Sequence, residues 1–192
     1  MRPAVFDLET PRLRIRLPRP RDAAAIAAYY LRNRARFDAL DPPRPEGFFT
    51  EAFWAERVEA LSNEAALGLS YRWFLFARGD DEGPVLGQIS LTNLVRGPLQ
   101  SATVGYSLDA AAEGQGLMRE TLGRVVQFAF EGLRLHRVEA GHLPDNHRSA
   151  KVLESLGFEV EGYAPRFLFV GGAWRDHVRR ARVCTRDAPP GT

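Results

Sequence analysis

Val104-Gly-Tyr-Ser-Leu-Asp109, followed at once by Ala110-Ala-Ala-Glu-Gly-Gln-Gly-Leu-Met-Arg119, decides the fold. Val104, Tyr106 and Leu108 alternate with Gly105, Ser107 and Asp109, the period of a strand with two unlike faces. From Leu117 the apolar positions pass to Met118, Leu122, Val125, Val126, Ala129 and Leu133, a helical stripe. The loop between them ends in Gly114-Gln115-Gly116. Glycines at such a junction let the backbone approach a ligand, and the first N–H groups of the helix have no acceptor within it. Such an end suits phosphate, and the same pair of glycines also serves a loop that only needs positive φ. A dinucleotide-binding loop would need a third glycine where Met118 and Arg119 stand, and a nucleoside-triphosphate loop would need Gly-Lys-Ser/Thr, whereas Lys151 is the only lysine.

The chain has 192 residues, 45% of them hydrophobic, enough for one domain, expected over residues 1–186 with a disordered tail at 187–192. No apolar run reaches membrane-spanning length and no apolar segment follows the charged start, so the protein is expected to be soluble, unexported and cytoplasmic. Cys184 is the single cysteine, and His136, His147 and His177 show no ligand spacing together, so neither a disulfide nor a metal is expected; His142 stands alone, read either as structural or as catalytic. The net charge is only +2, too small an excess to argue direct nucleic-acid binding. Arg12, Arg14, Arg16, Arg19 and Arg21 form the densest basic run, read either as a solvated strand edge or as a phosphate- or ribosome-facing patch.

In order, Leu13, Ile15 and Leu17 predict a first strand, stopped by Pro18 and Pro20. Asp22 is expected to cap a helix burying Ala23, Ile26, Ala27 and Tyr30, and Arg36 to Gly47 to be irregular. Thr50 is a cap for a helix burying Trp54, Val58 and Leu61. Residues 71–77 and 85–91 predict a hairpin, with a turn from Asn93 to Pro98. Residues 137–143 predict a strand, Asn146 opens a short helix ended by Gly157, Phe158 begins a strand, and 166–170 with 173–183 form a hairpin around Gly171-Gly172. The order gives a mixed α/β sheet.

Ala111-Ala-Glu-Gly114-Gln-Gly116 resembles the pyrophosphate loop of the GNAT N-acetyltransferases, Gln/Arg-x-x-Gly-x-Gly/Ala, departing at its first position. Leu135-His-Arg-Val-Glu-Ala140, Asn146-His-Arg-Ser149 and Leu153-Glu-Ser-Leu-Gly-Phe158-Glu-Val-Glu-Gly-Tyr163 follow in the family's order. Gly87-Gln-Ile-Ser-Leu-Thr-Asn93-Leu-Val-Arg96-Gly97 and Gly172-Ala-Trp-Arg-Asp176-His177-Val178 resemble the RimJ branch of the RimJ/RimL group, which acetylates amino termini of ribosomal proteins. The likeness covers roughly residues 10 to 183.

The resemblance implies a GNAT fold, a mostly antiparallel mixed sheet splayed between its central strands and flanked by about four helices. It implies acetyl-CoA as co-substrate, no metal, and a protein or peptide amino terminus as acceptor, in a monomer or dimer. Leu108, Glu113, Gly114, Gln115, Gly116, Leu117, Met118, Asn146 and Ser149 are the implied cofactor contacts. Asn146 is first of all an N-cap, and Ser149 is either a catalytic acid near the sulfur or a serine satisfied by its own helix. Related enzymes are implied to use a glutamate and a tyrosine where this chain has Gly141 and Leu153. Glu139, on the same strand face as Gly141, is then either a base acting through water or an ion-pair partner. Asn93, Arg96, Tyr106, Tyr163 and Asp176 are candidates for the acceptor side. The alternatives are a small-molecule amine as acceptor, or a CoA-binding module without catalysis.

Overall fold

The computed structural model describes residues 6–185, and the tail expected to be disordered lies outside them. The strands are β1 (Leu8–Glu9), β2 (Leu13–Arg16), β3 (Tyr71–Ala77), β4 (Gly87–Val95), β5 (Ser101–Leu108), β6 (Arg137–His142), β7 (Glu159–Val170) and β8 (Ala173–Val183). The helices are α1 (Ala23–Arg32), α2 (Arg34–Asp38), α3 (Glu51–Ala66), α4 (Leu117–Glu131) and α5 (His147–Glu154). The strands form one sheet in the order β1-β2-β3-β4-β5-β6-β8-β7. Every neighbouring pair is antiparallel except β5 and β6. Those two are parallel and paired only where Ser101, Ala102 and Thr103 meet Arg137, Val138 and Glu139. Beyond Thr103, β5 runs on through Val104–Leu108, about 16 Å of strand with no ladder toward β6.

Both sheet faces are covered, so β3 reads as a continuous apolar run rather than an alternation. Trp73 and Leu75 face one core with Ile89, Val104 and the α4 stripe Met118, Leu122, Val125, Val126 and Ala129. Phe74 and Phe76 face the other core, where α1 and α3 supply Ile26, Tyr29, Tyr30, Trp54 and Val58. Tyr30 stacks on Trp54 at 5.1 Å. Thr50 accepts a hydrogen bond from the Phe53 amide and starts α3.

The basic run divides: Arg12, Arg19 and Arg21 stay at the surface in ion pairs, as a solvated edge requires, while Arg16 is covered. β2 lies inside the sheet, between β1 and β3. Arg16 is fully buried and bonds the Asp22 carboxylate through two nitrogens, at 2.5 and 2.8 Å. Asp22 therefore does not cap α1 with its side chain. Its carboxylate instead takes the Arg19 amide and the Arg16 guanidinium, which lies 4.0 Å over the Phe76 ring. Arg14 pairs with Asp7 and Asp81, Arg19 with Asp7 and Arg21 with Glu82.

Other differences are local. The segment expected to be irregular from Arg36 contains the end of α2, and Asn93, expected in a turn, continues β4 with φ of 50° beside a register shift. The two stretches expected after Gly157 are one strand, β7. It accommodates Pro165 because it is the edge strand, with a register shift between Ala164 and Leu168.

Removing one partner of a buried ion pair leaves an uncompensated charge, whereas removing both does not. Arg16→Leu and Asp22→Ala are each expected to cost about 3–5 kcal/mol in urea unfolding, and the double variant less than their sum. Additive losses would show that the pair is not coupled.

Candidate active site

The open end of the sheet is built from the turn that closes β5. Asp109 accepts from the Ala111 amide at 2.9 Å and folds Ala110–Ala112 into a 3-10 turn. Its carboxylate also takes Asn33 at 3.0 Å and Arg32, while Asn33 accepts from the Ala110 amide at 3.1 Å. Burial disfavours the charge on Asp109, but these donors outweigh it and hold the carboxyl below its usual range. Helix α1 thus anchors the end of β5.

Gly114 and Gly116 then take φ of 74° and 76°. Nothing lies within 4 Å of a β-carbon built on Gly114, so backbone conformation, not space, requires glycine there. Gly116 is the N-cap of α4 with no side chain capping it, which leaves the first-turn N–H groups at Leu117 and Met118 without intrahelical acceptors. Gln115 donates to the Ala111 carbonyl at 3.0 Å, and Arg12 donates to the Gln115 carbonyl at 2.9 Å. On the other flank Arg36 bonds Glu113 and the Leu108 carbonyl, and Arg148 reaches Glu113 at 2.5 Å. The sequence gives no separate signal for Arg36 or Asn33. Both act from an α1–α2 junction far away in the chain.

Across the gap, Asn146 caps α5 by accepting from the Ser149 amide at 3.1 Å. The Ser149 hydroxyl lies 2.8 Å from the Tyr106 hydroxyl. A strand residue of β5 and a helix residue that follows β6 therefore meet where the two strands part. Burial pushes the Tyr106 phenol up to about 12, with the Ser149 bond and Arg180 working weakly against it. Tyr106 is thus protonated throughout the neutral range and available as a donor.

The remaining candidates make no part of the Tyr106–Ser149 contact. Glu139 sits at the last position of β6 paired with β5, its carboxylate held by Arg137 at 3.0 Å and Arg179 at 2.8 Å. Asn93 and Arg96 stand at the opposite end of the β4–β5 hairpin from Leu108. Val95 there pairs with Ser101, and Arg96 donates to the Leu133 carbonyl at 2.6 Å. The sequence match could not distinguish the two ends of one hairpin. Tyr163 donates to Asp176 at 2.6 Å on the exposed β7–β8 hairpin, and Asp176 also accepts from the Arg166 amide. The Tyr163 bond and the Arg166 amide hold the Asp176 carboxyl below its ordinary value. His142 is buried, with Nδ1 on the Leu143 carbonyl and Nε2 accepting from Arg180, so both ring nitrogens are engaged in structure.

The tip of that hairpin closes the rim. Gly171 has φ of 57°, and a β-carbon on it would lie 2.6 Å from the Ala39 carbonyl oxygen, so only glycine permits this approach to the segment after α2. Beside the tip is a depression of about 490 Å³ lined by Asp38, Asp41, Arg44, Glu46, Phe49 and Gly172.

A family model described as an acetyltransferase (GNAT) domain matches residues 12–159. The chain is 36% identical over 184 residues to the [ribosomal protein uS5]-alanine N-acetyltransferase of Escherichia coli K12, covering 96% of this chain and 93% of that protein. The crystal structure of a ribosomal-protein-S5-alanine acetyltransferase from Vibrio fischeri superposes with a TM-score of 0.89 at 33% identity, covering 95% of this chain and 99% of that one. RimJ of Mycobacterium smegmatis, solved in complex with CoA-disulfide, superposes with a TM-score of 0.87 at 28% identity, covering 99% of this chain and 93% of that one.

A β-branched residue at a positive φ carries strain of roughly 1–2 kcal/mol and places methyl groups at the helix start. Gly116→Val is accordingly expected to retain its circular dichroism while losing calorimetrically detectable CoA binding. Undiminished binding would show that the loop amides are not the phosphate site.

Proposed function

The chain belongs to the GNAT family of acetyltransferases, and we propose that it transfers the acetyl group of acetyl-CoA to the α-amine of a ribosomal-protein amino terminus. The observation that carries this reading is the gap between β5 and β6, with uncapped helix amides at one end and the Tyr106–Ser149 hydroxyl pair across it. Likeness to the uS5-alanine enzyme over nearly the whole chain supports the acceptor class. With a ribosomal acceptor, the enzyme would act in the cytoplasm.

Acetyl-CoA supplies an activated acetyl thioester. Gly114, Gln115, Gly116, Leu117 and Met118 would hold its pyrophosphate through backbone N–H groups, and the unladdered edge Val104–Leu108 would pair with its amide-bearing arm. The acceptor amine must be neutral to attack. A free α-amine has a pKa near 8, so about one in ten is neutral at pH 7, against far fewer for a lysine amine near 10.4. This acceptor therefore needs placement more than a base. Glu139, held by two guanidiniums, is assigned the role of fixing the closed end of the sheet.

As the carbon–nitrogen bond forms and the carbon–sulfur bond breaks, the amine proton passes to water and the sulfur takes a proton or a hydrogen bond. We assign that donor role to Ser149. Either hydroxyl of the pair can donate; when Tyr106 donates to the Ser149 oxygen, the serine proton is free to point into the gap, and Asn146 holds the helix that carries it. Tyr163 and Asp176, on the hairpin at the open end, flank the acceptor side, and the depression beside Gly172 suits an acceptor chain that continues beyond its first residue.

Peptides beginning with alanine or serine are expected to release thiol from acetyl-CoA, while a panel of polyamines, aminoglycosides and free amino acids is not. Turnover of small amines alone would remove the peptide reading, and CoA binding without any acceptor-dependent thiol release would leave a binding module. Ser149→Ala is expected to lower kcat on the order of ten- to a hundredfold with donor affinity little changed. Tyr106→Phe, which keeps the ring but not the donor, should reproduce part of that loss. A normal kcat in both variants would end the acid role.

A further inference from the structure

Arg12 stands just before β2, outside the strand, turn and helix that carry the phosphate-facing amides, yet it is bonded to that unit repeatedly. Its Nε donates to Glu120 Oε2 at 2.8 Å and its Nη2 lies 2.6 Å from the same oxygen. Its backbone N–H donates to Glu120 Oε1 at 3.1 Å, and its Nη1 donates to the Gln115 carbonyl at 2.9 Å. Nη2 also lies 3.8 Å from the position a β-carbon would take on Gly116. One planar guanidinium thus grips a carboxylate in the first turn of α4 and a carbonyl in the loop before it. Its donors have a fixed fork geometry, so both grips together set the angle at which the loop enters the helix.

The planar peptide converts this grip into an orientation. The Gln115 carbonyl and the Gly116 N–H belong to one trans peptide unit and point in opposite directions, so a carbonyl turned to Arg12 turns that N–H away from it. Gly114 and Gly116 both sit at positive φ and have no side chains with which to hold this plane. Ala111 has no side-chain donor either; its carbonyl is itself tied by Gln115. Glu120 is the acidic residue in the first turn of α4, and an unpaired carboxylate there would repel a phosphate. Pairing with Arg12 offsets that charge.

We propose that Arg12 is a positioning residue for donor binding, bracing the Gly114–Gly116 loop so that its amides face the pyrophosphate of acetyl-CoA. The inference rests on the acetyl-CoA reading above and adds a residue of the basic run to it. Arg12 touches none of the reacting atoms.

The test compares acetyl-CoA with acetyl-pantetheine, a donor that keeps the thioester arm and lacks the pyrophosphate. Arg12→Ala is expected to weaken CoA binding in calorimetry by about tenfold or more. It should leave kcat at saturating acetyl-CoA, and kcat/KM for acetyl-pantetheine, within about twofold of the unsubstituted enzyme. Arg12→Lys should recover only part of the loss, because an ammonium cannot grip carboxylate and carbonyl in one plane. Glu120→Gln provides a milder variant with the same expected preference for losing acetyl-CoA over acetyl-pantetheine. Equal losses with both donors would reveal a general structural defect and overturn the proposal, as would CoA affinity unchanged in both Arg12→Ala and Glu120→Gln. An unsubstituted enzyme that binds no CoA would instead remove the donor reading on which the proposal stands.

Discussion

The parallel ladder between β5 and β6 stops after Thr103 and Glu139, and the site exists because it stops there. A buried backbone N–H or carbonyl left without a partner costs about 1–3 kcal/mol, so an opened pair of strands needs other partners along its edge. The closed end is fixed first. The amides of His136 and Arg137 both donate to the Gln100 carbonyl, and Glu139 ties Arg137 to Arg179 of β8. At the open end β5 leaves through the Asp109 turn into α4, β6 leaves through Leu143 into α5, and the Tyr106–Ser149 and Arg148–Glu113 bonds bridge the departing arms. The gap that remains is lined on one side by strand edge and on the other by helix amides, the shape that the proposed donor, an extended arm leading to a pyrophosphate, would enter.

Charge is arranged around that gap by arginine. Lys151 is the single lysine, so nearly every cation in the chain is a planar group able to bond two acceptors at once. The exposed pairs, such as Arg21 with Glu82, are worth about 0–1 kcal/mol each and decide little. Four arginines decide geometry. Arg16 and Asp22 lock the start of α1 against β2; Arg32 and Asn33 hold Asp109; Arg36 and Arg12 grip the glycine loop from opposite flanks. Arg32, Arg36 and Arg12 each join segments distant in sequence, and each ends on an acceptor in or beside the turn between β5 and α4.

What the sequence made legible follows from period and from caps. The alternation at Val104–Leu108, the stripe from Met118 to Ala129, Thr50 before α3 and Asn146 before α5 are local signals, and each marks its element in the structure. The resemblance supplied the order of motifs and the splay. Long-range partnership was not legible. Arg16 looked like one of several strand arginines because nothing local to it shows that β3 and Phe76 will cover it. Asp22 preceded a helix and so read as a cap, although a buried guanidinium competes for the same oxygens more strongly than a backbone amide. Asn93 and Arg96 matched their relatives within one hairpin, but register, which alone tells the Gly87–Leu108 end from the Val95–Ser101 end, is a property of the paired strands. The Tyr106–Ser149 contact joins residues on separate elements, and only the fold brings them together.

Backbone amide hydrogen exchange with and without CoA tests the central claim most directly, since that claim concerns which N–H groups the open sheet and the uncapped helix leave for the donor. Slower exchange at Gly114 to Arg119 and along Val104 to Leu108, with the closed end at Ser101 to Thr103 unaltered, is the expected result. Protection confined to other segments, or none at the glycine loop at saturating CoA, would contradict it.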